Sequence, residues 1–195
     1  MSEHYFSVEY RFPINVTPLS ADYALPEEMQ LEQEMPLPFR IAALEGSVDL
    51  NSARHLRAID EELQVLVQAL NQQSRKINLL LGYLLSQLDD PAERAMALRF
   101  GASTLCFEYP APLAEGTLLR LKLFLQEESA AIYCYGRVVG SQNAGTEGAP
   151  NLIEADYIRL RPDDKEALIR ASLNIQSRQL KLRAEQKANT ATIKN

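Results

Sequence analysis

Residues 51–88 read NSARHLRAIDEELQVLVQALNQQSRKINLLLGYLLSQL, and apolar residues recur in this stretch at intervals of seven. The first column consists of Leu56, Leu63, Leu70, Ile77 and Leu84. A second column lies three residues after the first and consists of Ile59, Leu66, Gln73, Leu80 and Gln87. A third column lies one residue after the second and consists of Val67, Leu81 and Leu88. An average apolar spacing of 3.5 residues is typical of a helix that buries one continuous seam against other helices.

A helix over residues 51–88 would be about 57 Å long at about 1.5 Å per residue, which exceeds the width of a domain of this size. We therefore expect other copies of the chain to cover part of the seam. The predicted oligomerisation interface comprises Leu56, Ile59, Leu63, Leu66, Val67, Leu70, Gln73, Ile77, Leu80, Leu81, Leu84 and Leu88.

Polar and small residues within this helix carry further information. Gln73 in the seam predicts a polar layer that fixes helix register and number at some cost in stability, while Gln87 either shares that role or lies at a frayed end. Gly82 costs about 1 kcal/mol relative to alanine, and we expect it to let another helix approach closely. Three apolar columns and the extra Leu79, Tyr83 and Leu85 favour a surrounded helix, as in a four-helix bundle, over a two-stranded coil.

Composition restricts the class of protein. The 195 residues fit one domain, or one small domain with an appendage, and 46% hydrophobic and 24% charged residues fit a folded protein in water. The net charge of −6 argues against a nucleic acid polymer as the main partner, because phosphate binding needs a positive surface. A basic group near the C-terminus is either a solvated helix end or a local basic face; it consists of Arg178, Lys181, Arg183 and Lys187.

The two cysteines and the hydropathy pattern indicate a cytoplasmic protein. Cys106 and Cys134 lie in apolar stretches, so we expect buried thiols in a reducing compartment, with a strand-to-strand disulfide as the alternative. The first residues lack the basic and apolar segments of a secretion signal. The most apolar run, residues 79–85, is far shorter than the ~20 residues that a membrane-spanning helix needs, so no membrane insertion is expected.

The rest of the chain alternates between strand and turn patterns. Residues 5–12 predict a first strand that stops at Pro13, and residues 39–44 predict a short strand. Residues 17–38, rich in proline and acidic residues, predict an extended surface segment with a short helix at 26–33. Four more strands are predicted at residues 95–109, 117–125, 130–140 and 152–160, and short strands joined by turns favour a small barrel.

Helix signals set the remaining boundaries. Asp49 or Asn51 can cap the long helix and Asp89-Asp90-Pro91 ends it, while Pro162 opens a final helix. The predicted organisation is an N-terminal strand and acidic segment at 1–46, the oligomerisation helix at 47–90, barrel strands at 91–161, a C-terminal helix at 162–188 and a frayed tail at 189–195.

No residue pattern supports catalysis or cofactor binding. The two histidines, His4 and His55, have no cysteine or histidine at metal-ligand spacing, and no glycine-rich phosphate loop occurs. Ser103 lies in Gly-Ala-Ser-Thr, which lacks the nucleophile-elbow pattern. We expect neither an enzyme nor a protein with a metal or other cofactor.

Three stretches from residue 97 onward resemble a PilZ domain. They are LCFEYPAPLAEGTLLRLKL at 105–123, YGRVVG at 135–140 and EADYIRLRPDDKEALI at 154–169. The resemblance covers residues 97–182 and implies a fold of the α+β class: a small six-stranded antiparallel PilZ-like β-barrel with a long inserted heptad helix and a C-terminal helix. Many PilZ domains bind the bacterial second messenger cyclic di-GMP.

The nucleotide-binding motifs of the family are missing. The family binds through Arg-x-x-x-Arg before the barrel and Asp/Asn-x-Ser-x-x-Gly on it, and no two arginines here are four apart. Alignment on Ser103 places Gly101 at the acid and Cys106 at the glycine; alignment on Phe107 places Arg99, Gly101 and Thr104 at the three key positions. The loss is severe, because guanidinium groups clamp phosphates and stack on bases.

The helix before the barrel strands resembles an unusual PilZ subgroup that likewise lacks these motifs and whose helices assemble the domain into a tetramer. The resemblance implies a homotetramer. We therefore expect a non-enzymatic, oligomeric protein that contacts other signalling or motility proteins in cyclic di-GMP-related signalling, motility or virulence. The alternatives are a cyclic di-GMP receptor using non-standard arginines, such as Arg94, Arg99 and Arg137, and a purely structural scaffold.

Overall fold

A computed structural model describes residues 7–45, 61–125, 128, 130–142 and 149–192, and for 43–45, 61–64 and 187–192 it describes the backbone only. The strands are β1 Ser7–Pro18, β2 Arg94–Gly101, β3 Thr104–Tyr109, β4 Leu118–Leu125, β5 Ala130–Gln142 and β6 Asn151–Arg159. The helices are α1 Glu28–Glu34, α2 Leu37–Glu45, α3 Glu61–Ser86 and α4 Pro162–Thr192.

The six strands form a closed antiparallel barrel in the order β1-β2-β3-β6-β5-β4. Strand β4 shows why: its leucines at 119, 121, 123 and 125 are fully buried, whereas Arg120 and Lys122 between them are not. Alternation with period two sends one set of side chains inward and the other outward. The barrel closes where Ile14 to Pro18 of β1 pair with Leu123 to Leu119 of β4, which leaves no open edge.

Helix α4 packs on the barrel through its first half. Leu168, Ala171 and Ile175 recur at helical spacing and join the core inside the barrel. Pro162 is the first helical residue, as predicted, and Asp163 and Asp164 lie in the first turn, where negative charge is favourable.

A second apolar layer lies outside the barrel, over β4 and β5. Phe124, Tyr133 and Tyr135 point outward there, and α1, α2 and the end of α3 cover them. The Tyr135 hydroxyl donates to Glu34 at 3.0 Å and lies 2.9 Å from the Tyr23 hydroxyl. Burial raises the pKa of Tyr135, so this hydroxyl keeps its proton.

Several sequence-based boundaries are corrected. The predicted strand at 39–44 is helix α2. Phe39 and Ala42 are three residues apart and are both buried in the second apolar layer, which fits helical spacing. Pro36 and Pro38 fit the start of this helix, because no intrahelical donor is needed there. Strand β1 continues through Pro13, which lies where only β2 pairs with it, so its missing N–H breaks no second ladder.

Two further boundaries differ. The stretch 95–109 is two strands, β2 and β3, separated by Ala102 and Ser103. Helix α4 continues to Thr192, past the predicted end at 188. The predicted short helix at 26–33 is α1, and the three strands at 117–125, 130–140 and 152–160 are β4, β5 and β6.

Candidate self-assembly interface

Helix α3 carries an unusual amount of exposed apolar surface. Eight of its large apolar side chains are between 42% and 75% exposed: Val65, Leu66, Leu70, Ile77, Leu79, Leu80, Tyr83 and Leu84. Such a concentration on one helix is far from the scattered single residues of ordinary protein surfaces. It marks α3 as an incomplete packing surface.

Five of these side chains form one stripe, which we call the leucine seam: Leu66, Leu70, Ile77, Leu80 and Leu84. Their spacings of four, seven, three and four residues place them on a single face of the helix. Gln73 is exposed on the same face, between Leu70 and Ile77. The seam therefore has the apolar pattern, with one polar layer, that helical bundles bury.

A different face of α3 packs on the chain's own body. Leu81 is buried and Leu85 is half-buried, and both belong to the apolar layer outside β4 and β5. At about 100° per residue these side chains lie beside the seam rather than on it. The intrachain contact therefore anchors the C-terminal end of α3 and leaves the seam uncovered.

A hydrogen-bonded joint fixes the end of α3 to the barrel. Asn15 of β1 is fully buried and its Nδ2 donates to Asp89 Oδ1 at 2.8 Å and to the Asp90 carbonyl at 3.1 Å, while its Oδ1 accepts from the Asp90 backbone N–H at 2.9 Å. Arg94 bonds the same Asp89 carboxylate at 2.8 Å. The predicted helix stop at Asp89-Asp90-Pro91 thus also sets the direction in which α3 leaves the barrel.

Comparison with solved structures identifies the fold. A pathogenic protein from Xanthomonas campestris, described as a tetrameric PilZ domain self-assembled via an unusual helical bundle, is similar with a TM-score of 0.54. The two chains are 18% identical, and the match covers 92% of each. This chain has the PilZ fold. The predicted α+β class is confirmed, and so is the six-stranded antiparallel barrel with a long inserted helix and a C-terminal helix.

Other comparisons add less. The Bacillus subtilis inhibitor of motility MotI/DgrA is similar with a TM-score of 0.40 and 19% identity, over 44% of this chain and 42% of that one. No family model and no curated protein matches the sequence. The resemblance of this chain to known proteins therefore rests on the fold that it shares with the Xanthomonas campestris protein.

The twelve predicted interface residues of this PilZ-fold chain fall into three groups: some are not described, some are at least half-buried within the chain, and some are exposed. Leu56 and Ile59 lie outside the described residues, as does the side chain of Leu63. Val67 is half-buried, Leu88 packs against the layer outside β4 and β5, and Leu81 is buried in that layer within the chain. The remaining six are exposed and share the seam face: Leu66, Leu70, Gln73, Ile77, Leu80 and Leu84.

Sequence reasoning gave too little weight to a second exposed stripe on α3. Val65, Leu79 and Tyr83 are 64% to 75% exposed and lie about 120° around the helix from the centre of the seam. Their separations of 14 and four residues keep them on one face, but Gln72 and Lys76 interrupt the apolar pattern between them. This interruption is why a search for continuous apolar columns misses the stripe.

Two of the three arginines proposed as an alternative nucleotide site, Arg94 and Arg99, are paired with acids. Arg99 of β2 lies 3.5 Å from Glu154 of β6, and Arg94 bonds Asp89. Arg137 of β5 is exposed and stands opposite Asp156 in the strand register. A nucleotide phosphate at Arg94 or Arg99 would have to displace a carboxylate, which weakens the case for a clamp built from these arginines.

Ser103 and Cys106, which align with the serine and the glycine of the nucleotide-binding motif, add no charged group to this surface. Ser103 lies in the turn between β2 and β3, and its carbonyl accepts from the Tyr157 backbone N–H at 2.9 Å. Burial raises the pKa of Cys106, against the lowering effect of Arg99, so its thiol stays neutral. Burial raises the pKa of Cys134 well above its ordinary value, and both cysteines are free thiols, as predicted.

Two ion pairs involve arginines outside the strands, Arg161 and Arg178. Arg161 donates two hydrogen bonds of 2.9 Å to the buried Asp164, although burial still raises the pKa of that carboxyl. In the basic group of α4, Arg178 pairs with Glu128, while Lys181 and Arg183 are exposed.

Within the described ranges no cluster of three potential metal ligands occurs, and none of the helices there is both long and apolar enough to cross a bilayer.

Proposed function

We propose that this protein is a non-enzymatic, cytoplasmic PilZ-type protein that assembles into a homotetramer through the leucine seam of α3. In this proposal it acts by contacting signalling or motility proteins in cyclic di-GMP-related signalling and does not itself bind the nucleotide. The observation that carries the assembly is the exposed seam, because five large apolar side chains in one stripe need a cover in water.

Two further observations support the proposal. The Xanthomonas campestris protein of similar fold is described as self-assembling through a helical bundle, and the match extends over 92% of both chains. Gln73 also interrupts an otherwise apolar seam, which is how bundles select one register and one number of helices. Four copies would surround α3 on more than one side, as its second exposed stripe requires.

The proposed lack of nucleotide binding is supported by the barrel face. Arg94 and Arg99 are held by Asp89 and Glu154, and Gly101 stands where an aspartate or asparagine would accept hydrogen bonds from a guanine edge. Calorimetric titration with cyclic di-GMP tests this directly. We expect no binding at micromolar concentrations for the wild type.

A matched pair of variants makes the titration decisive. Arg99→Ala removes an arginine at a motif-aligned position, and Arg11→Ala removes an exposed arginine of β1 that pairs with Glu108 at 3.0 Å. Micromolar or tighter binding that is lost in Arg99→Ala and kept in Arg11→Ala would establish a receptor. That result would replace the proposed role by nucleotide sensing.

Signalling contacts and a purely structural role differ in whether a partner binds. Capture from cell extract with the wild type should retain partner proteins reproducibly at stoichiometric amounts. If the wild type retains nothing beyond further copies of itself, the protein is a scaffold and the signalling part of the proposal is wrong.

A further inference from the structure

Helix α4 has an exposed apolar face of its own, on the side that points away from the barrel. Ile169, Leu173 and Leu180 are 40%, 53% and 65% exposed, and their spacings of four and seven residues place them in one stripe. The residues of α4 that join the barrel core lie on the opposite side of the helix. We call these three exposed residues the α4 stripe.

The last turns of α4 extend past the barrel. Leu180 and Leu182 lie about 200° apart around the helix, yet they are 65% and 57% exposed. Lys181 and Arg183 are exposed as well. Apolar residues exposed on both sides of the same turn mark a segment that a partner can cover.

Basic residues flank the α4 stripe. Arg170 and Lys181 lie about 60° to 80° around the helix from Leu173 on one side, and Arg183 lies about 80° from it on the other. Residues 176–192 contain four bases and one acid, although the whole chain has a net charge of −6. An apolar stripe between positive charges fits a segment that carries both acids and apolar residues.

The chain itself has such a segment. Residues 17–38 contain five acids and no base. Within this range, Glu28 and Glu32 of α1 are exposed and lie about one helical turn apart, and Met29 beside them is 76% exposed. Leu37, at the start of α2, is 62% exposed. This acidic surface therefore complements the α4 stripe in charge and offers apolar side chains to cover it.

The arrangement of α1, α2 and α4 permits a reciprocal contact between two copies. Helix α2 begins three residues after α1 ends and also contacts α4, so both helices are neighbours of α2. In a two-fold contact the same pair of surfaces meets twice. A two-fold axis near α2 would bring the α4 stripe of each copy onto α1 of the other.

We propose that the α4 stripe receives α1 of a second copy in a two-fold contact. Met29 packs on the stripe, and the α1 carboxylates, Glu28 and Glu32, pair with its basic flanks. Because α1 has only seven residues, this contact is smaller than the leucine seam and adds to an assembly that the seam holds. The inference rests on the proposed self-assembly and specifies a second interface within it.

A disulfide trap tests the contact by proximity. Cys106 and Cys134 are buried, so cysteines introduced at exposed positions react in their place. A chain with both Met29→Cys and Leu180→Cys should form a covalent pair of chains on a non-reducing gel. We expect at least about tenfold more of this pair than in either single variant, because a disulfide forms only between cysteines whose backbones come close. The control chain combines Leu180→Cys with Glu115→Cys, at an exposed residue between β3 and β4, and should give no such pair.

Charge reversal tests the ion pairs. Lys181→Glu with Arg183→Glu places acid against acid, and Glu28→Lys with Glu32→Lys places base against base. By light scattering over a dilution series at low salt, each of these two variants should need at least about tenfold more protein for full assembly. An equimolar mixture of the two variants, refolded together, should regain the wild-type value, because each α4 then meets an α1 of opposite charge.

The outcomes separate this inference from the proposal beneath it. A multi-copy wild type whose double-cysteine variant gives no more covalent pair than the control chain would overturn the α4 contact alone and leave the stripe to an acidic segment of another protein. Covalent products longer than two chains would overturn its two-fold symmetry. Charge reversals that leave assembly unchanged would overturn the ion pairs. A wild type at the mass of one chain would overturn both the contact and the proposed self-assembly.

Discussion

The barrel and helix α3 differ in how much apolar surface they bury. In the barrel, β4 alone places four leucines at 0% exposure, and every strand edge is paired within the chain. In α3, five leucines and isoleucines of the seam remain 42% to 65% exposed. The barrel buries its apolar surface within one copy and the helix does not, so we assign stability to the barrel and the proposed assembly to the helix.

The largest expected effect breaks the barrel half of this comparison. Leu121→Ala truncates a fully buried core side chain and should lower the free energy of unfolding by about 2–5 kcal/mol. Thermal unfolding should show the same loss at low and at high protein concentration. Leu70→Ala, the same change in the seam, should instead lower the melting temperature chiefly at high concentration, where copies associate.

The next effect concerns the joint between the two regions. Asn15→Ala removes three hydrogen bonds to Asp89 and Asp90 and leaves the Asp90 N–H without its partner, so we expect a loss of about 1–3 kcal/mol in unfolding free energy. Urea denaturation measures it. Asn174→Ala, at an exposed residue that bonds Glu128, is the control and should lie within about 0.5 kcal/mol of the wild type.

A smaller expected effect is a loss of stability at alkaline pH that comes from Cys134 in the barrel core. Burial raises the pKa of Cys134, so the folded protein keeps a proton that the unfolded chain loses above about pH 8.5. Its contribution to stability is complete below that pH and declines as pH rises, by up to about 1.4 kcal/mol per pH unit. Cys134→Ala should show a shallower alkaline loss in urea denaturation, with the tyrosines accounting for the remaining slope.

The smallest expected effect concerns Gln73, the polar residue in the leucine seam of α3. Gln73→Leu replaces the polar layer of the seam and should raise the melting temperature of the assembly. The corresponding gain in free energy should be about 1 kcal/mol or less. It should also relax the number of copies, visible as a broader mass distribution in light scattering. A melting temperature equal to that of the wild type would place Gln73 outside the buried seam.

Much of the fold was predictable because its signals are local or periodic. The heptad spacing predicted α3, Pro162 predicted the start of α4, and the resemblance of residues 97–182 predicted the barrel. The predicted number of strands was right for partly wrong reasons. The stretch 39–44 is helix rather than strand, and 95–109 is two strands rather than one.

The missed features depend on tertiary contacts. Residues 39–44 form a short apolar run that fits a strand as well as a helix. Phe39, Ile41 and Ala42 pack against the outer surface of β4 and β5, and this tertiary contact favours the helix there. Leu81 fits an apolar column as well as Leu80 does, yet the barrel buries one and leaves the other exposed. The acceptor role of Asn15 toward Asp90, 75 residues away, has no local signature.

The most direct test of the account is the mass of the protein in solution, measured by light scattering on the wild type and on Leu70→Glu and Ile77→Glu. For the wild type we expect four times the chain mass of 21.9 kDa. For both variants we expect one chain mass with unchanged circular dichroism, because an unpaired charge is costly in a buried seam. A wild type at 21.9 kDa at every concentration, or variants that keep the wild-type mass, would contradict it.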